Sequence, residues 1–173
     1  MKTLLITYYP NNGILLNDIN LHWGMDRETI RQLLNQSHKA NDSIIDLSQF
    51  NNSNSAPDIV QKRDIYQNYE ALDNYFFLNY DVEDLLEEIE IHNGPQIIVE
   101  NIQLSFDKEI SEILLDLKSI CGDNEQLSPG EYLFADLKLT IADAEFMGME
   151  GNTLAYFYCS KNIDHLLENN VSS

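Results

Sequence analysis

The chain has few residues with which to brace itself covalently or hold a metal. Only two cysteines, Cys121 and Cys159, occur in 173 residues. Both stand in apolar patterns and read as buried free thiols of a reducing compartment rather than a bridge. His22, His38, His92 and His165 are scattered, and none has a second His or Cys at ligand spacing, so no metal site is expected. No apolar run approaches the roughly 18 residues of a membrane span. The opening MKTLLITYYPNNG is broken early by Tyr8, Tyr9 and Pro10. It reads as a first strand, Thr3 to Tyr8, rather than an export signal, which points to the cytoplasm. G-x-S-x-G, P-loop, G-x-G-x-x-G, H-E-x-x-H and paired C-x-x-C patterns are all missing. The expectation is therefore a non-enzymatic chain with no catalytic residues and no cofactor.

Positive charge is also scarce. Ten Lys plus Arg stand against 29 Asp plus Glu, a net charge of −19 spread evenly along both halves. Such a field opposes nucleic acid and anionic membranes, and it steers basic proteins toward the chain. Solubility alone is the plainer reading of the same charge. A hydrophobic share of 43% and an aromatic share of 10% argue against disorder.

What the sequence does contain is an echo. Tyr75 to Glu87, YFFLNYDVEDLLE, aligns without a gap to Tyr156 to Glu168, YFYCSKNIDHLLE. Tyr75/Tyr156, Phe76/Phe157, Leu85/Leu166, Leu86/Leu167 and Glu87/Glu168 are identical, at an offset of 81 positions. Ile19 to Trp23, INLHW, has a counterpart in Ile102 to Phe106, IQLSF, at an offset of 83. Two segments with nearly one spacing favour duplication, with units 1–93 and 94–173 sharing a core.

Within each unit the pattern predicts a helix and several antiparallel strands. Asp26 reads as the N-cap of a helix from Arg27 to about Asn35, with Ile30, Leu33 and Leu34 on the buried face and Arg27, Arg31 and Gln32 exposed. Ser43 to Phe50 reads as a strand, Asn51 to Pro57 as a loop, and Asp58 to Tyr69 as extended. Leu85 to His92 alternates, with Ile89 and Ile91 opposite Glu88, Glu90 and His92. In the second unit Gln96 to Ile102 reads as a strand, Asp107 as the cap of a helix that Gly122 stops, and Glu131 to Ala142 as one alternating strand. Lys161 to Glu168 reads as a strand or a short helix, and the last residues as frayed. Each unit thus packs a helix on one face of a sheet, an α+β arrangement.

Strand parity then separates two faces. Phe76, Leu78, Phe157 and Cys159 fall toward the helix. Tyr75, Phe77 and Asn79, matched by Tyr156, Tyr158 and Ser160, fall on the other side, where Tyr132 and Phe134 are expected to join them. Half-polar aromatics suit a surface that is wet when free and buried when bound. Glu88, Glu90 and the turn acids Asp81, Glu83 and Asp84 are candidates for its rim. The competing expectation is that loops or a second sheet fill this face. The acids in DVEDLLEEIE do not follow a calcium-loop pattern, and Leu85-Leu86 interrupts them, so they read as a solvated strand end and turn.

Trp23-Gly24-Met25-Asp26-Arg27-Glu28, leading to Leu33-Leu34, is similar to the Gly and capped helix that open a unit of the β-lactamase inhibitor protein architecture. The single unit also occurs in small outer-membrane assembly lipoproteins. The resemblance covers most of the chain by pattern and implies a binding scaffold with a concave aromatic sheet face. The chain departs from it in having no disulfides and no lipobox. An acidic binding scaffold also resembles, in type, bacterial immunity proteins. These observations frame an immunity-type module that binds a basic protein such as a toxin. The alternatives are a nucleic-acid mimic, an enzyme with an unfamiliar carboxylate site, and a scaffold subunit or homo-oligomer.

Overall fold

The structure, a computed structural model, describes residues 4–45 and 59–168. The chain opens as a meander of β1 (Leu5–Tyr9), β2 (Gly13–Leu16) and β3 (Ile19–His22), followed by α1 (Arg27–Leu34), β4 (Lys39–Ala40) and β5 (Ser43–Ile45). Three long strands come next, β6 (Ile59–Gln67), β7 (Tyr75–Tyr80) and β8 (Leu86–Asn93). Beyond a turn at Gly94 lie β9 (Gln96–Val99), β10 (Ile102–Leu104) and α2 (Ile110–Cys121). The chain finishes with β11 (Glu125–Ser128), β12 (Glu131–Phe134), β13 (Leu139–Asp143), β14 (Leu154–Ser160) and α3 (Asp164–Glu168). Of the expected strand Ser43 to Phe50, only the part to Ile45 is described. The loop Asn51 to Pro57 and the last five residues lie outside the described residues.

The strands form two sheets. The smaller has the order β10-β9-β1-β2-β3 and contains one parallel pair, β1 with β9. The larger runs β11-β12-β13-β14-β8-β7-β6-β4, with β5 also paired to β6. Both sheets draw strands from before and after Gly94. Ile6, Ile14 and Leu21 of the smaller sheet, Ile30, Leu34, Ile113 and Leu117 of the helices, and Phe76, Ile89, Ile91 and Phe157 of the larger sheet form one buried cluster. The fold is α+β with strands predominating. Tyr8 stands inside this core. Its hydroxyl donates to the Leu137 carbonyl at 2.8 Å, and its ring meets Trp23 and Phe157 edge-on. Trp23 donates its indole N–H to the Pro10 carbonyl and packs against the core.

The two echoed strands flank the same neighbour. Phe76 and Phe157 both pair with Ile91, Leu78 and Cys159 with Ile89, Phe77 and Tyr158 with Glu90, and Asn79 and Ser160 with Glu88. The segment that follows each strand differs in fate. Leu86 continues as β8, whereas Leu166 and Leu167 lie in α3, which resolves the open reading of Lys161 to Glu168 in favour of helix. The cause is topological: β14 already has β13 on one edge and β8 on the other, so no ladder remains for its sequel.

Five expectations need correction. Glu131 to Ala142 is a hairpin rather than one strand, because Ala135–Leu137 form a 3-10 turn and Lys138 takes a left-handed φ of 52°. Gln96 to Ile102 divides at Glu100, φ 55°, into β9 and β10. Asp107 does not cap α2; Glu109 is held extended by its bridge to Thr153, and the helix begins at Ile110. Leu33, expected inside, is 45% exposed, and Arg27, expected outside, is 5% exposed.

Arg27 is buried because it meets carboxylates there. Its guanidinium donates to Asp64 at 2.7 Å, to Asp42 at 2.8 and 3.0 Å, and to Asp84 at 3.1 Å, and lies over the Tyr80 ring. Arg31, one turn on, donates to both Asp64 oxygens at 2.8 Å. Asp64 sits on the core face of β6 and is fully buried. Burial alone would push its carboxyl up, but hydrogen bonds from Arg31 and Arg27 hold it below the ordinary carboxylate range. Asp42, bonded by Arg27, and Asp84, bonded by Lys62, are also lowered. Asp64→Ala leaves two guanidinium groups without their shared partner and is expected to cost about 3–5 kcal/mol in urea unfolding. Lowered carboxyls stabilise the fold above their unfolded value of about 4, and this contribution is lost as pH falls through the folded values. Stability should therefore drop in acid below about pH 4, and less steeply in the variant.

Candidate functional site on the second face of the larger sheet

In β6 the inward Asp64 forces Arg63 and Ile65 to the opposite face, since side chains alternate along a strand. Parity does the same in β7, where Phe77 and Asn79 turn away from the core, and in β14, where Tyr156 and Tyr158 do. The result is an aromatic and polar strip outside the main core cluster. Phe77 and Tyr75 meet edge-on at 5.1 Å, His92 lies 4.4 Å from Phe77 and 5.2 Å from Tyr156, and the Arg63 guanidinium covers Phe77 at 5.0 Å.

Glu90 is the hub of the strip. Its Oε1 accepts from Asn79 Nδ2 at 2.6 Å and from Arg63 at 3.3 Å, and its Oε2 accepts from the Tyr156 hydroxyl at 3.2 Å. His92 Nε2 lies 3.5 Å from the same Oε2. Burial pushes the Glu90 carboxyl up, but His92, Asn79 and Arg63 outweigh it and hold the group below its ordinary range. Glu88 accepts from Tyr158 at 2.8 Å and from Asn79 at 3.3 Å, and His165 Nε2 lies 3.1 Å from the Tyr158 hydroxyl. Two β-bulges punctuate β8 here. One falls between Tyr75 and Phe76, opposite His92, and the other between Asn79 and Tyr80, opposite Glu87.

The structure thus brings Tyr75, Phe77, Tyr156, Tyr158, Glu88 and Glu90 to one face. Tyr75 and Tyr156 are half-buried, while Phe77 is 8% and Tyr158 7% exposed. Tyr132 and Phe134 do not join them. Tyr132 pairs with Ile141 and Phe134 with Leu139, both residues of the core face, and Phe134 is 1% exposed. The 3-10 turn after Phe134 reverses the phase that continuous alternation implied, so Leu133 and Thr140 take the outward positions. The turn acids also separate. Asp81 Oδ1 accepts from the backbone N–H groups of Glu83 and Leu85, so it holds its own turn. Asp84 belongs to the Arg27 and Lys62 network, and Glu83 is exposed.

Strand parity places Asn79 on this face beside Tyr75 and Phe77, whereas Arg63 lies in a segment whose sequence has no clear alternation to reveal it. Chemically the strip sets hydrogen-bonded carboxylates among ring faces, with the Arg63 guanidinium as the cation already seated there. Among the described residues, no group of three or more His, Cys, Asp or Glu side chains is placed to hold a metal ion. No helix among the described residues is long and apolar enough to cross a membrane. Compared with protein-family models, curated proteins and solved structures, the chain matches none.

Burial beside Glu90 and Glu88 raises the hydroxyl pKa values of Tyr156 and Tyr158, and burial also raises those of Tyr8, Tyr66 and Tyr80 and pushes Tyr69 up to about 12. A raised folded value means that stability is intact below the unfolded pKa of about 10 and is lost as pH climbs. Spectrophotometric titration of the nine tyrosines should therefore show a fraction that ionises only together with loss of near-UV dichroism above about pH 10. Ionisation of all nine near pH 10 with the fold intact would contradict the site geometry.

Proposed function

We propose that this chain is a protein-binding module that captures a basic protein on the second face of its larger sheet, as an immunity-type inhibitor captures a toxin. The observation that carries the reading is the interleaving of Tyr75, Phe77, Tyr156 and Tyr158 with Glu88 and Glu90 on one face of a chain with net charge −19. The field accelerates encounter with a cationic partner, and the half-buried rings of Tyr75 and Tyr156 supply anchoring area at low entropic cost over a floor of buried Phe77 and Tyr158. Inhibition is steric occlusion or charge masking, with no covalent step, cofactor or metal. The free thiols fit a reducing cytoplasm as the working compartment.

The same reading takes the chain as two tandem units, 1–93 and 94–173, merged into shared sheets. Its support is the echo in sequence together with the common register of β7 and β14 on β8. The merging leaves one central strand, and hence one binding face.

Co-purification from the native host at low salt should retain a basic protein, and its Kd should weaken as salt rises because steering is screened. Tyr75→Ser combined with Tyr156→Ser, both at half-buried positions, should weaken that complex by about 2 kcal/mol, roughly 30-fold. Recovery of no basic partner, or equal binding by this double variant, would sink the proposal.

A further inference from the structure

We infer that the bulged start of β8 is a receptor for one arginine side chain of the basic partner, with Glu87 as its carboxylate fork. The inference rests on the binding face proposed above and specifies what enters it. In a regular strand Glu87 and Glu88 would point to opposite faces. Here Asn79 pairs with Glu88 and Tyr80 with Leu86, which leaves Glu87 as the extra residue, and such a bulge re-aims side chains. Glu87 and Glu88 accordingly line one cleft of about 210 Å³, together with Asn79, Tyr80, Gln61 and Lys62.

The groups around this cleft are unequally satisfied. Lys62 is turned to Asp84 at 2.8 Å and to the Val82 carbonyl at 2.9 Å, and Arg63 to Glu90. Glu88 holds Tyr158 and Asn79. Glu87 is half-buried; its backbone carbonyl accepts from the Lys161 N–H at 2.9 Å, but its carboxylate takes part in no hydrogen bond or ion pair among the described residues. Burial and the facing charges of Glu88 and Asp81 push its carboxyl up, against a partial offset from Lys161 and His165. Asn79 is 7% exposed, donates to Glu88 and Glu90, and leaves its buried Oδ1 without a partner. With Lys62 committed to Asp84 and the Val82 carbonyl, and the Asn79 amide N–H groups to Glu88 and Glu90, the cleft lining has no uncommitted donor or positive charge for the Glu87 carboxylate and Asn79 Oδ1. A guanidinium supplies both, as a planar set of five N–H groups that matches a carboxylate two bonds at a time. An ammonium meets the charge but not the fork geometry.

The test is an NMR titration of the isotope-labelled protein with acetyl-arginine methylamide, alongside the lysine and the uncharged citrulline analogues. The arginine probe should saturate with shifts centred on Glu87, Glu88 and the Asn79 side-chain amide, and bind at least about 5-fold tighter than the lysine probe. Glu87→Gln should weaken it about 10-fold, and Glu87→Asp, which keeps the charge and moves it, by a similar factor. Glu112→Gln, on the exposed side of α2, should change nothing. Equal weakening by Glu87→Gln and Glu112→Gln, equal affinity for lysine, or no saturable shift at Glu87 overturns the inference. Capture of the basic partner by Glu87→Gln at wild-type affinity also overturns it, while leaving the proposed function standing.

Discussion

The Arg27 to Asp64 contact sets the phase of everything downstream of it. A buried ion pair of this kind adds little net stability, because desolvating both charges cancels much of their attraction. Its effect is directional. A carboxylate at position 64 can enter the core only where two guanidinium groups of α1 await it, so β6 cannot slip by one residue without stranding all three charges. Such a slip would also reverse every side chain of the strand. Asp64 inward means Arg63 outward, and the outward Arg63 is what covers Phe77 and bonds Glu90. The core network and the candidate site are thus two sides of one strand.

The same network sharpens the electrostatics. All the arginines of the chain, Arg27, Arg31 and Arg63, are engaged in internal pairs, as are Lys62 and Lys108. These cations are used to orient elements rather than to balance the surface. The field seen by an approaching molecule is therefore set by acids that have no such partner, and Glu87 is among them. Within the strip, Glu90 and Glu88 are already bonded by the protein's own donors, so they form a rigid, preorganised floor rather than reaching for a partner.

Local periodicity was legible in the sequence wherever the backbone stays regular. Asp26 caps α1 as its position implied, with its side chain accepting from the Thr29 N–H, and Phe76, Leu78, Phe157 and Cys159 lie in the core. Reading failed where one left-handed residue reverses the phase. Lys138 turns a twelve-residue alternation into a hairpin, and this sends Tyr132 and Phe134 inward. It failed again at Arg27, because helical periodicity ranks a charged residue as exposed and cannot foresee Asp64, which lies 37 residues on. The smaller sheet, with its parallel β1 and β9 pair, was not anticipated, since pairing between distant strands leaves no local pattern.

The tripeptide Leu-Leu-Glu shows how far context overrides sequence. At Leu85 to Glu87 it leads into β8, which begins at Leu86, and at Leu166 to Glu168 it lies in a helix. Both follow strands that open on Tyr-Phe and share one register on β8, and the tripeptide itself is the same, so its intrinsic propensity cannot distinguish the two fates. What differs is the free edge. β7 offers one to its sequel, whereas the edge that β14 would offer is already occupied by β8. The outward face of β8, with its two bulges and its Glu87, Glu88, Glu90 and His92, therefore has no strand counterpart beside β14 among the described residues. An echo in sequence becomes a single asymmetric site, because two similar strands share one neighbour and only that neighbour carries the carboxylates.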